Sequence, residues 1–259
     1  MNAILILLER DLRAVLRARS QLYSSVITPL IFLVFLGAGV THGLQPANLP
    51  AGNFTAYLVP GVIVMTLVFS STFSSASYYR DRDSGILRIF LSSPHPARRI
   101  LLGKSLAGVV IGVLQAIVVL AVAAPFVDFE WQHGFIAGVA IAVATMALTA
   151  LLLAGVAQVL ASRIQSMQGF HLVMNLVLFP LLFFSGAFFP IADVPTWLEI
   201  LARINPLTYA VDALQLAVYA GDDAGFIGLW VDFGVLTALA VGVYALSFVR
   251  VPRLTWSGQ

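Results

Sequence analysis

The chain has 259 residues, of which 60% are apolar and 10% charged, with a net charge of +2 and no cysteine. Soluble domains carry roughly 45–50% apolar and about 25% charged residues, so this composition excludes a soluble enzyme or nucleic-acid-binding domain and reads as a membrane protein. Without cysteine there are no disulfides and no thiolate metal sites.

The opening stretch "MNAILILLERDLRAVLRARS" sets Ile4, Leu5, Leu8, Leu12, Val15 and Leu16 at helical spacing, with Glu9, Arg10, Arg13 and Arg17 on the other side. Its charges follow the apolar run instead of preceding it, which rejects a secretory signal and predicts an interfacial helix on the membrane over 1–20. Six stretches are apolar and long enough to span, near 21–41, 56–77, 105–127, 134–160, 169–189 and 229–249.

Between the second and third of these, residues 78–104 hold six of the fourteen basic residues. Asp81, Asp83 and Ser84 are expected as helix caps, "GILRIFLSS" as a short amphipathic helix, and Pro94 with Pro96 as its stop. Such a segment serves either as a positive-inside anchor on lipid headgroups or as a docking helix for a soluble partner. The "GKS" at 103–105 is not the end of a phosphate-binding loop, because Arg98 stands where that loop needs glycine.

Inside the spans, Thr66, Ser70, Ser74 and Ser77 recur on one helical face, and Gln115, Gln158, His171 and Asn175 are scattered through the others. Interhelical hydrogen bonds and a partly polar path both use such groups. Gly108 with Gly112, and Gly134 with Gly138, are spaced for close helix packing. The cluster Phe179, Phe183, Phe184, Phe188 and Phe189 reads as a packed or lipid-facing surface, or as an apolar lining for an amphiphile. His42, His95 and His133 fall in loops with no second ligand at metal spacing, so no metal site is expected.

The segment 190–228 reads as two short helices that dip in from the outer face and return, because Asp212 sits in its apolar part and a charge at the bilayer centre costs several kcal/mol. Pro195 opens the first helix, Asn205 and Pro206 form the N-cap and first position of the second, and Glu199 and Arg203 are spaced to pair. With a cytoplasmic N-terminus and six spans, every Lys and Arg lies inside except Arg203, which predicts that both termini are cytoplasmic.

"RDSGILRIFLSSPHPARRILLGKSLAG" resembles the loop of ABC-2 type permeases, where a Gly-Thr-Leu-Glu-like turn leads through an apolar stretch to a proline and then a Gly-Lys entering the third span. Arg88 stands where many relatives carry glutamate. "FFSGAFFPIADVPTWLEILARINPLTYAVDAL", residues 183–214, is similar to the Ser-Gly, Phe-Pro, Pro-x-Trp-Leu and Asn-Pro-Leu-Thr-Tyr signature of the daunorubicin-resistance and nodulation-factor export branch.

The resemblance covers the whole chain and implies one all-α ABC-2 transmembrane domain over 1–259. It comprises the interfacial helix 1–20, spans 1 and 2 over 21–77, a cytoplasmic coupling loop at 78–104, and spans 3 to 5 over 105–189. An outer re-entrant helical hairpin at 190–228, span 6 at 229–249 and a cytoplasmic tail at 250–259 complete it.

The function so implied is that of a permease subunit of a type II ABC exporter in a bacterial inner membrane, moving an amphiphilic drug, lipid or glycolipid out of the cytoplasm or inner leaflet. Its implied partners are membrane lipid, a second permease copy or paralogue, and two separate ATPase subunits that bind the ATP and Mg; no nucleic acid and no cofactor on this chain is implied, nor any enzymatic activity of its own.

The implied ATPase-coupling residues are Arg82, Asp83, Gly85, Ile86, Leu87, Arg88, Phe90 and Pro94. The implied path uses Thr66, Ser70, Ser74, Gln115, Asn175 and Phe183, and the outer gate Pro190, Pro195, Trp197, Asn205, Pro206, Tyr209 and Asp212. The alternatives are a secondary transporter, which is expected to keep a carboxylate near the midplane of its spans, and a non-transporting scaffold. Co-purification of an ATPase distinguishes them.

Overall fold

Inside a bilayer no water pairs with backbone N–H and C=O groups, so a chain this apolar closes them within helices. The computed structural model describes residues 3–17, 19–43, 54–86, 97–131, 134–191, 194–219 and 225–250. Among them all regular structure is helical: α1 (Ala3–Arg17), α2 (Arg19–Gly43), α3 (Phe54–Asp83), α4 (Ala97–Ala123), α5 (Phe135–Ala161), α6 (Met167–Phe183), α7 (Thr196–Ile204), α8 (Pro206–Val218) and α9 (Leu229–Arg250). Four stretches, Phe54–Asp83, Leu102–Ala123, Phe135–Ala161 and Leu229–Ser247, are long and apolar enough to cross a membrane, and the apolar Tyr23–Gly37 and Met167–Phe183 are shorter.

The core forms around α3, whose Leu58, Val59, Ile63, Val64, Met65 and Leu67 are buried against α2, α4, α5, α6 and α8. On the outside, Ile27, Ile31 and Phe35 of α2, Leu172 and Leu176 of α6, and Trp230, Val241 and Leu246 of α9 are exposed. Exposed apolar faces of this kind suit lipid or a partner subunit, not water.

Proline chemistry shapes one end of the bundle. The Pro60 nitrogen carries no hydrogen, and the Ala56 carbonyl one turn earlier takes a hydrogen bond from the Tyr219 hydroxyl. Beside it, a Cβ on Gly61 would lie 2.4 Å from the Ala187 carbonyl oxygen, so only glycine lets α3 approach the turn after α6. That turn needs its own glycine, since Gly186 has φ of 79°, and the Tyr57 hydroxyl holds the Gly186 carbonyl at 2.5 Å.

Several expectations need correction. Asp81 and Asp83 belong to α3, which runs through Asp83 and ends where Ser84 N–H donates to Arg80 C=O at 3.0 Å and Gly85 N–H to Arg82 C=O at 3.1 Å; the short helix expected after them lies outside the described residues. Gly85 takes φ of 76° there, the left-handed helix-ending conformation that glycine adopts without strain. The fifth apolar stretch stops being helical at Phe183 rather than 189, because the Ser185–Gly186 turn breaks it. Gly138 packs tightly, its Cβ position 2.3 Å from the Trp131 ring and 3.0 Å from the Ala217 carbonyl, but Gly134 meets nothing within 4 Å. It sits at the α5 N-cap with φ of 80°. Finally, α1 lies along α4, packed on protein as well as facing outward.

Candidate functional site

Residues 78–86 end α3, and the helices that meet there define one pole of the molecule. Asp81 accepts from Arg10 at 2.5 Å and from the Lys104 ammonium, while Asp11 accepts from Arg10 at 2.7 Å and from Lys104 at 3.1 Å. Lys104, Asp11 and Asp81 are all less than 10% exposed. Burial alone would lower the Arg10 affinity for its proton, but the hydrogen bonds to Asp11 and Asp81 hold its pKa above the ordinary value. At the same pole the Tyr79 hydroxyl donates to Ile164 C=O at 3.0 Å and Arg82 donates to Gln165 C=O, with the Arg82 guanidinium 4.9 Å from the Tyr79 ring centre. The end of α3 is thereby clamped to α1, α4 and the turn between α5 and α6.

Of the coupling residues expected here, Arg82, Asp83, Gly85 and Ile86 are described, with Asp83 and Ile86 exposed. Leu87, Arg88, Phe90 and Pro94 lie outside the described residues.

Next to this pole a cavity of about 50 Å³ opens between α3, α4 and α5, lined among others by Ser70, Ser74, Ser77, Lys104, Ser105 and Gln158. Gly108 and Gly112 let α4 approach its serines: a Cβ would lie 2.5 Å from the Ser74 hydroxyl at Gly108 and 3.3 Å from the Ser70 hydroxyl at Gly112. The Ser105 hydroxyl donates to the Gln158 amide oxygen at 3.0 Å. The Ser70 hydroxyl and the Gln158 amide nitrogen are buried with no hydrogen-bond partner among the described residues. Several waters fit such a volume.

The expected path residues separate. Ser70 and Ser74 line this cavity, whereas the Thr66 hydroxyl folds back onto Val62 C=O at 2.8 Å, an ordinary use of a helical threonine. Gln115 is buried elsewhere. Asn175 is exposed on α6 beside Leu172 and Leu176, and Phe183 is half-exposed with its ring 5.1 Å from Phe188.

The expected outer-gate residues form the opposite pole. Asn205 caps α8 by accepting from Leu207 N–H at 3.0 Å, and its amide donates to Leu181 C=O at 2.5 Å. Pro206 occupies the first helical position and Pro195 the α7 N-cap. Tyr209 donates to Arg203 C=O at 2.6 Å, and Arg203 pairs with Glu199 at 2.9 Å. Pro190 is half-buried, and Trp197 is 61% exposed on an apolar α7 face with Ile200 and Ile204. Asp212 is buried and accepts from the backbone N–H groups of Phe226, Ile227 at 2.9 Å and Gly228 at 3.1 Å.

Sequence reasoning missed the four-charge cluster and Asp232. The signal for the first was Asp11, an acid on the apolar stripe between Leu8, Leu12 and Val15. Asp232, in the first turn of α9, is fully buried; among the described residues no donor reaches either oxygen, and its neighbour is Asp212 itself.

The chain matches the family model described as ABC-2 type transporter over residues 2–219. It is 29% identical to Nodulation protein J of Rhizobium meliloti (strain 1021), over 91% of this chain and 87% of that protein. It is 25% identical to the Inner membrane transport permease YadH of Escherichia coli (strain K12), over 88% of this chain and 86% of that protein. Its identity to the Probable multidrug ABC transporter permease YbhR of the same organism is 26%, over 76% of this chain but only 53% of that protein.

Proposed function

The chain belongs to the ABC-2 type transporter family, and from that premise we propose that it is the permease subunit of an ATP-driven exporter, moving an amphiphilic drug, lipid or glycolipid out of the cytoplasm or inner leaflet. The observation that carries the reading is its nearly end-to-end likeness to Nodulation protein J and to an inner membrane transport permease. On this reading the whole chain is one transmembrane domain of six spans in a bacterial inner membrane, with both termini cytoplasmic. It works with a second permease, a copy or a paralogue, and with two ATPase subunits that bind ATP and Mg and perform the hydrolysis.

The segment that follows Asp83 and precedes Ala97 is the coupling element, set into the ATPase through Arg82, Asp83, Gly85, Ile86, Leu87, Arg88, Phe90 and Pro94. Ser70 and Ser74 offer hydroxyls to a polar group near the cytoplasmic pole. The polar Asn175 and the Phe183 ring, on an exposed apolar face of α6, turn toward the second permease. The α7–α8 pair is a re-entrant hairpin that closes the outer side, with Trp197 and its apolar neighbours at the membrane surface.

The test is to scramble residues 84–93 in the complex with its ATPase. The permease should still fold, since this segment lies outside the bilayer, while ATPase stimulation and export are lost. Export at the normal rate after scrambling, or a permease that never co-purifies with an ATPase, overturns the reading.

A further inference from the structure

The buried cluster at the cytoplasmic pole joins elements that a helix bundle does not otherwise need to join. Arg10 and Asp11 come from α1, Asp81 from the last turn of α3, and Lys104 from the eighth residue of α4. Each carboxylate is held by both cations and each cation by both carboxylates. Losing any one of the four therefore leaves the others with buried charge incompletely compensated. Asp81 and Lys104 stand on either side of residues 84–96, so both stems of that segment are tied to each other and to α1.

Apolar packing resists separation of helices but allows small shear between them, because it has no direction. Charge-assisted hydrogen bonds from a planar guanidinium and an ammonium to two carboxylates resist sliding and rotation too, and salt screens a buried pair less than an exposed one. The clamp of Tyr79 and Arg82 on Ile164 and Gln165 adds the α5–α6 turn to the same body.

We propose that Arg10, Asp11, Asp81 and Lys104 form a rigid joint that makes α1 and both stems of residues 84–96 move as one body, so that displacement applied to that segment is delivered to α3 and α4 instead of being lost in splaying of the stems. The proposal rests on the reading of residues 84–96 as the ATPase-docking segment. The four act as positioning residues: Lys104 borders the cavity, but its ammonium is held by Asp11 and Asp81.

Because this chain has no cysteine, spin labels can be placed at chosen positions in the full permease–ATPase complex in nanodiscs once the cysteines of the ATPase subunits are replaced. One label pair, at Arg13→Cys and Arg80→Cys, reads across the joint between exposed positions of α1 and α3. A second pair, at Arg80→Cys and Phe135→Cys, reads movement of the α3 stem against the far end of the bundle. In the intact chain, ATP should shift the second distance and leave the first unchanged. The neutral set Arg10→Gln, Asp11→Asn, Asp81→Asn and Lys104→Gln should make the first distance ATP-dependent and cut the second shift at least twofold. Arg10→Lys, which keeps the charge but loses the planar fork, should preserve more of the shift than Arg10→Gln.

If the fourfold variant does not fold, Arg10→Gln alone, at the half-exposed member of the cluster, should still reduce the shift measurably. A full shift in the neutral set or in Arg10→Gln overturns the joint, as does an ATP-dependent first distance in the intact chain. No ATP-dependent shift in the second pair of an intact, ATPase-bound chain overturns the docking reading itself, and the joint falls with it.

Discussion

Asp212 carries its carboxylate into the interior at 2% exposure, a position that is stable only because three consecutive backbone N–H groups, those of Phe226, Ile227 and Gly228, point at it. It pins the turn 226–228 that leads into α9, satisfying backbone N–H groups that lie before the helix begins. Asp212→Ala should lower stability by about 3 kcal/mol, read as a drop in the thermal unfolding midpoint of the detergent-solubilised protein. Asp232 is the opposite case. Among the described residues its oxygens meet no donor, and its side-chain neighbour is the Asp212 carboxylate, so a charge there is uncompensated. Asp232→Asn should raise the unfolding midpoint, and a midpoint that falls would show that the carboxyl group itself is required. At Gly61, where a side chain would run into the Ala187 backbone, Gly61→Val should cost about 1–3 kcal/mol by overpacking.

The two helices of the outer pole are held very differently. At about 1.5 Å per residue, the thirteen-residue α8 is too short for a core of about 30 Å. It is nevertheless buried on most sides and bolted through Asn205 to Leu181, through Asp212 to 226–228 and through Tyr219 to Ala56. α7 instead leans on α8, with Tyr209 on the Arg203 carbonyl and the Arg203 guanidinium 4.8 Å from the Phe226 ring centre. If the hairpin gates the exit, α7 is the part that moves. Cysteines at Thr196 and at a facing position of the second permease should then give disulfide yields that differ with and without ATP, and the cross-link should stop export. Equal yields in all nucleotide states with export intact would make the hairpin a static plug.

For the molecule as a whole, the proposed topology puts the 190–228 region outside and the C-terminal tail inside. A cysteine introduced at Asp222 should react with an impermeant thiol reagent applied to intact cells, and one at Ser257 should be protected until the membrane is opened. Labelling at Ser257 from outside would mean an odd number of crossings. The contacts are arranged by pole in the same sense: residues 10–11, 79–82, 104 and 164–165 gather at one end, and residues 56–61, 186–187 and 219 at the other.

The membrane class, the apolar helices, the Asn205–Pro206 helix start and the Glu199–Arg203 pair were legible in the sequence, because each depends on composition or on residues within one or two turns of each other. The glycine spacing of Gly108 and Gly112 was legible for the same reason, although nothing local revealed that Ser74 and Ser70 would face them. Where local reading went astray, the tertiary surroundings decided: Asp81 looked like a cap until Arg10 and Lys104 claimed it, and Gly134 looked like a packing glycine although among the described residues nothing lies within 4 Å of its Cβ position. Thr66 and Ser70 share a face, yet only the tertiary packing of α4 and α5 puts Ser70 at a cavity and leaves Thr66 on its own helix. The pairing within the charge cluster belonged to the tertiary structure. In sequence Asp11 stands out as an acid on the apolar stripe of the first helix, but only folding brings Arg10, Asp81 and Lys104 around it, withdraws them from water and makes their pairing a condition of burial.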